Sequence, residues 1–114
     1  MKQAFYAPER GDVIWISLAN QPGHEQTERR LAVVLSPHAY NSRVGLAVLC
    51  PIASQIKGYP FEVLVPPDLP IKGAILADQA ESLDWRAHRA ELICSLPPAI
   101  VDETLGKLRA LLES

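Results

Sequence analysis

Short β-branched and apolar runs, each closed by a turn signal, fill the chain up to Leu96 and restrict it to a small β architecture. Val13-Ile14-Trp15-Ile16-Ser17-Leu18 reads as the first strand, bounded by Gly11-Asp12 and by the turn-forming Asn20-Gln21-Pro22-Gly23. Leu31 to Leu35 is a continuous apolar strand, and Leu46-Ala47-Val48-Leu49-Cys50 has the look of another buried one. Between them Ser36-Pro37 stops the strand, and His38 to Arg43 is polar enough for a single helical turn before Val44-Gly45. Phe61-Glu62-Val63-Leu64-Val65, closed by Pro66-Pro67, Gly73-Ala74-Ile75-Leu76-Ala77 and Ala90 to Leu96 complete the strand candidates. After Pro97-Pro98 the period changes, with Val101, Leu105, Leu108 and Leu112 recurring at offsets of four, three and four. This is one face of an amphipathic helix; the prolines suit its first turn, Asp102 and Glu103 complement its N-terminal dipole, and Lys107 and Arg109 lie toward its C-terminal end. The expectation is a mainly β fold, a small barrel with a C-terminal α-helix packed on it, forming a single domain over residues 1–114.

Charge narrows the function classes. The formal net charge is −2, unlike the strongly basic balance of a protein that coats nucleic acid. Its distribution is uneven: nine Lys and Arg face nine Asp and Glu through Ala90, against two and four from residue 91 onward, so a local basic surface is compatible with the first ninety residues. Met1 to Pro8 lacks the apolar run of a signal peptide, and no stretch approaches the ~20 apolar residues that span a bilayer. The expected location is the cytoplasm, without membrane contact. Cys50 and Cys94 there stay reduced, each within an apolar run, and two cysteines 44 positions apart supply too few ligands for a metal site. No metal or other cofactor is expected.

Two polar segments are candidates for chemistry. Gly23 to Arg29 has no hydrophobic period and reads as an exposed loop leading to Arg29 and Arg30. Residues 53–62, Ala-Ser-Gln-Ile-Lys-Gly-Tyr-Pro-Phe-Glu, set one cation, one glycine and two aromatics between strand-like runs. Aromatic rings stack on unpaired bases while a lysine meets the backbone, so Lys57, Tyr59 and Phe61 are candidates for holding single-stranded nucleic acid, with core packing the competing reading for Phe61. Asp78 and Gln79 offer hydrogen-bonding groups for base edges, or alternatively for stabilising a turn. Trp15 and Trp85 read as core or dimer-packing residues.

Gly11-Asp12-Val13-Ile14-Trp15, Arg30-Leu31-Ala32-Val33-Val34-Leu35-Ser36-Pro37, the 53–62 segment, Leu76-Ala77-Asp78-Gln79 and Trp85-Arg86 occur in an order and at spacings that resemble the MazF/PemK family of toxins from bacterial toxin–antitoxin pairs. The resemblance runs from about Gly11 to the C-terminal helix. It implies a barrel related to SH3-like folds, a homodimer, inhibition by a cognate antitoxin, and metal-independent cleavage of single-stranded RNA, mRNA included, at short sequences.

By that resemblance Arg30 is the principal catalytic residue; its planar, permanently charged fork suits the negative charge that develops on phosphorus. Glu25 matches a family glutamate and either serves as a base or orients the arginine, whereas in isolation it would read as a solvated loop charge. Arg29 points to the opposite face if the strand is regular, and counts as a phosphate-contact candidate. Gln79 and Arg86 join Lys57, Tyr59 and Phe61 as RNA-contact candidates. His24, in the polar loop, is a candidate for proton transfer; His38 reads as structural or exposed, and His88 adds to a locally cationic segment.

Ala53 departs from the family. Many members carry there a threonine whose hydroxyl is held to bind the scissile phosphate, which alanine cannot do. Ser54 offers a hydroxyl one position later, but in a regular strand it faces the other side unless a loop or bulge returns it. Ala53 supports a reading beside the nuclease, a weakened homologue that still binds RNA or antitoxin; a separate one is a protein-binding toxin like the structurally related gyrase poisons, which would not need the loop and Arg30.

Overall fold

The computed structural model describes residues 6–18 and 28–113. The chain runs β1 (Asp12–Ser17), β2 (Arg29–Val34), α1 (His38–Val44), β3 (Leu46–Ala53), β4 (Glu62–Leu64), β5 (Ala74–Leu76), a 3₁₀ turn (Ala77–Gln79), β6 (Glu81–Asp84), β7 (Glu91–Ser95) and α2 (Pro98–Glu113). The strands join in one antiparallel sheet in the order β4-β5-β3-β2-β1-β7, with β6 also paired to β3. The expected mainly β architecture with a C-terminal helix is present, but the sheet is not closed into a barrel: β4 and β7 end the path without pairing to each other among the described residues. Three-residue β4 is too short to extend the ladder far, and α2 packs against it and the 3₁₀ turn.

The continuous apolar runs are explained by two buried faces. Val13, Val33, Cys50, Ile52, Val63 and Ile75 join Leu96 and Val101 in one cluster; Ile14, Ile16, Ala32, Val34, Ala47, Leu49 and Trp85 form the other. Successive residues of β1 and β2 enter opposite clusters, as period-two alternation requires. Trp85 is buried, its indole N–H donating to the Asn41 carbonyl at 3.0 Å. Asn41 itself is fully buried and donates to the carbonyls of Pro8 (2.9 Å) and Ser36 (3.0 Å), tying α1 to the segment before β1 and to the one after β2.

Several expectations are corrected in detail. The single turn at 38–43 is a seven-residue helix, closed by Gly45 at φ 85°. In α2, Val101 is buried and Leu105 and Leu108 pack against the core, but Leu112 is 74% exposed. Asp102 and Glu103 lie beyond the first turn of α2, and Lys107 and Arg109 short of its last, so neither pair serves as the expected dipole complement. Lys107 instead bridges to the 53–62 segment. Strand β6, Glu81–Asp84, lies where no strand was expected, since only one of its four side chains is apolar.

The path along β3 positions the site. β2 pairs with one edge of β3 at Leu49–Pro51, while β6 and then β5 pair in succession along the other. The register slips by three residues between those two segments, which is the 3₁₀ turn Ala77–Gln79 pushed out of the ladder. Asp78 and Gln79 are thereby exposed beside the C-terminal end of β3.

Candidate nucleic-acid groove

Beyond Ala53 the chain leaves the sheet, and residues 54–61 fold into a loop held from beneath by one carboxylate. Glu62 is 7% exposed, and its two oxygens accept the backbone N–H groups of Lys57 (2.9 Å) and Gly58 (2.7 Å). Gly58 sits at φ 80°, a left-handed position that lets the loop turn back so both amides reach the same carboxylate. From α2, the Lys107 ammonium donates to the carbonyls of Pro60 (2.7 Å) and Glu62 (2.9 Å). Helix and strand together therefore fix the loop's backbone, leaving the Lys57 side chain exposed.

Across the loop, the Tyr59 hydroxyl donates to Asp78 Oδ1 at 2.7 Å. This hydrogen bond, with further effects of burial and nearby negative charge, pushes the phenol up to about 12, so Tyr59 is neutral at physiological pH. Its ring has a fixed orientation and the chemistry of a stacking surface, not of a base. Ala53, Ser54, Gln55, Lys57, Tyr59, Glu62, Leu76, Asp78 and Gln79 line a cleft of about 780 Å³.

A second depression of about 310 Å³ adjoins it, sharing Ala53, Ser54, Leu76 and Gln79 and adding Arg29, Arg30, Trp15 and Lys72. The two make one groove along the end of β3. Arg30 is exposed, and its side chain has no hydrogen-bond or ion-pair partner among the described residues. The β2–β3 ladder stops at Ala32 and Pro51, and Arg30 and Ala53 both line the depression that opens beyond it. Arg29 also borders this depression but is engaged: it donates to Glu91 Oε1 at 2.8 Å and lies 4.7 Å above the Trp15 ring.

The structure thus brings together Arg30, Arg29, Ser54, Lys57, Tyr59 and Gln79 around one groove. Ser54 borders both depressions because β3 ends at Ala53 and strand alternation no longer governs it. Phe61 is half-buried and does not line the groove; its carbonyl accepts the Ala77 amide at 3.0 Å. Arg86 lies over the Trp85 ring at 5.0 Å and borders a separate hollow of about 360 Å³ with Tyr6, Arg89 and Ala90. Glu25 and His24 lie outside the described residues, as does most of the loop from Gly23.

Sequence reasoning missed Glu62, Lys107, Trp15 and Lys72 as parts of this groove. Lys-Gly followed four residues later by a carboxylate was the available signal for Glu62; nothing in the sequence marks Lys107's reach. Cys50 is buried, with its thiol pushed up to about 12 chiefly by burial and donating toward the Ala77 carbonyl at 3.8 Å, so it is a packed thiol and not a nucleophile. Cys94, half-buried, is also raised, chiefly by burial. No group of three or more His, Cys, Asp and Glu among the described residues is placed to hold a metal ion. No helix among them is long and apolar enough to cross a membrane.

Known proteins resemble this chain in sequence and overall fold. Endoribonuclease toxin MazF of Escherichia coli (strain K12) is 38% identical over 107 residues, covering 94% of this chain and 96% of the relative. The MazE–MazF structure (Form-II) from Deinococcus radiodurans contains a chain 48% identical to this one, superposing with a TM-score of 0.89 over 95% of this chain and 97% of its own. A MazF structure (Form-I) from the same organism is 47% identical, with a TM-score of 0.86 over 96% and 100% of the two chains. The profile of the PemK-like, MazF-like toxins matches residues 9–112, nearly the whole chain. With sequence, fold and profile agreeing, the chain belongs to the PemK-like, MazF-like toxin family of type II toxin–antitoxin systems.

Proposed function

We propose that this chain is the toxin of a type II toxin–antitoxin pair and an endoribonuclease that cuts single-stranded RNA, mRNA included, without a metal. The observation that carries the reading is the groove itself, with an arginine whose side chain has no partner among the described residues at one end and a fixed tyrosine and an exposed lysine at the other. The family relatives named endoribonucleases support it. An extended strand lies along the end of β3, with a base on the Tyr59 ring and a phosphate near Lys57. Gln79, exposed at the 3₁₀ turn, offers both donor and acceptor to a base edge, which is the chemistry of sequence selectivity.

In the reaction, the 2′-oxygen attacks the adjacent phosphorus, its proton leaves to a base, and the bond from phosphorus to the 5′-oxygen breaks as that oxygen gains a proton. The products carry a 2′,3′-cyclic phosphate and a 5′-hydroxyl. Arg30 meets the extra negative charge on the phosphoryl oxygens of the transition state. Glu25 orients Arg30 or handles the proton in this scheme. Tyr59, donating to Asp78 and raised in ionisation, stays protonated at physiological pH and is assigned to stacking here.

The protein acts in the cytoplasm, as a homodimer whose second copy completes the RNA groove, and a cognate antitoxin silences it by covering the same cations with acidic and apolar side chains. MazE–MazF structures among the relatives support the antitoxin partner. Incubating purified protein with a long unstructured RNA in EDTA and mapping the product ends tests the reading. Cuts at one short motif with cyclic-phosphate ends support it. Intact RNA across several sequences shifts the assignment to a protein-directed toxin or to a homologue weakened at Ala53, which borders the groove as a bare methyl.

A further inference from the structure

The scissile phosphate of the proposed reaction needs more than one ligand, and Ala53 offers no hydroxyl. The chain around that position supplies other candidates. The sheet order β5-β3-β2 places the end of β3 between two neighbours, with Arg30 arriving from the β2 side and the segment before β5 from the other. That segment approaches closely: a side chain at Gly73, φ 133°, would meet the Ala53 carbonyl oxygen at 2.1 Å. Lys72, the residue before this contact, is exposed and borders the depression together with Arg30, Ala53 and Ser54.

Of the basic residues around this depression, Arg29 is committed to Glu91 and Trp15. The side chains of Arg30 and Lys72 have no hydrogen-bond or ion-pair partner among the described residues. A cation without a carboxylate partner among the described residues, on the opposite side of the β3 end from the catalytic arginine, has the placement of a phosphate ligand. A lysine ammonium carries three donors on a flexible stem and needs no fixed fork to meet a phosphate oxygen.

We propose that Lys72 contacts the RNA phosphate at the end of β3, opposite Arg30, and supplies there the contact that the missing hydroxyl at Ala53 cannot make. The inference rests on the nuclease reading, and its test separates the two. The variants are Lys72→Met, which keeps the stem and removes the charge, Lys72→Arg, and Arg109→Met as a control that removes an exposed cation outside the groove. Binding is read by fluorescence anisotropy with a labelled mixed-sequence 2′-O-methyl RNA, which cannot supply the attacking hydroxyl; cleavage is read under single turnover on a long RNA.

The expected result is that Lys72→Met weakens binding and slows cleavage about tenfold and lowers the slope of log affinity against log salt by about 0.7, one phosphate for a single strand. Lys72→Arg retains most of both, and Arg109→Met changes neither. Ala53→Thr accelerates the Lys72→Met protein more than the parent, because the restored hydroxyl takes up the vacated contact. Unchanged affinity, rate and salt slope in Lys72→Met overturn the proposal and make Lys72 a solvated surface lysine. If the parent binds RNA but cuts none, the nuclease reading fails while the binding arm still decides Lys72; if it binds no RNA, both fall.

Discussion

Replacing Glu62 by Gln separates the loop's support from the groove's own chemistry. The Glu62 carboxylate accepts two backbone N–H groups, from Lys57 and Gly58, at 2.9 and 2.7 Å, and is almost wholly shielded from water. Glutamine keeps the shape but puts an NH₂ group in place of one oxygen, so one of the two amides faces a donor. A hydrogen bond to a charged group contributes about 1.5–3 kcal/mol, which corresponds to roughly a 10- to 150-fold change in a local opening equilibrium. The loss is local, since Val33 and Ile75 in the sheet share no partner with Glu62. Amide hydrogen exchange read by NMR checks it: protection at Lys57 or Gly58 falls by that factor, while the Val33 amide stays as in the parent. RNA affinity falls with it, because the backbone carrying Lys57 and Tyr59 is no longer held. Unchanged protection at both amides refutes the reasoning, since it would mean that the loop does not depend on the carboxylate.

Other outcomes follow from the same geometry. Gly73→Ala forces a methyl to 2.1 Å from the Ala53 carbonyl oxygen at φ 133° and should cost about 2–5 kcal/mol by urea denaturation; Gly58→Ala, at φ 80° in open space, should cost only about 1–2 kcal/mol. Ala53→Thr adds a hydroxyl where the two parts of the groove meet and should raise single-turnover cleavage about tenfold; an unchanged rate shows the hydroxyl is not wanted there. Tyr59, held to Asp78, ionises near pH 12 instead of its ordinary 10. Its unfolded form loses the proton first, so its contribution to stability is complete below about pH 10 and is lost as pH rises toward 12. Ultraviolet titration of the parent against Tyr59→Phe should show that late phenolate, and Asp78→Asn should move it down.

What the sequence makes legible is whatever has a periodic or compositional signature. β1, β2 and β3 stand out because both their faces are buried, and α2 because its apolar residues recur at helical spacing. β6 has no such signature: Glu81, Ser82 and Asp84 are exposed and the strand is specified by pairing with β3 across a long sequence separation. Openness of the sheet is likewise a property of pairing between distant segments. In the groove, Arg30, Ser54, Lys57, Tyr59 and Gln79 fall inside motifs and were reached through them. Lys72, in a proline-rich connection, and Lys107, on the helix, join the site only through tertiary approach to Ala53 and to Pro60. Arg29 illustrates the converse, since its charge looks free in sequence and is met by Glu91 from β7.

The central claim is that Arg30 acts on RNA phosphate without structural duties of its own. The Arg30 side chain is exposed and unpartnered among the described residues, so Arg30→Ala should leave the unfolding free energy within about 0.5 kcal/mol of the parent. The direct measurement is single-turnover cleavage of a long RNA in EDTA by the parent and Arg30→Ala. The account predicts a loss of about 100- to 1,000-fold in rate with folding intact; cleavage at the parental rate by a folded Arg30→Ala protein contradicts it.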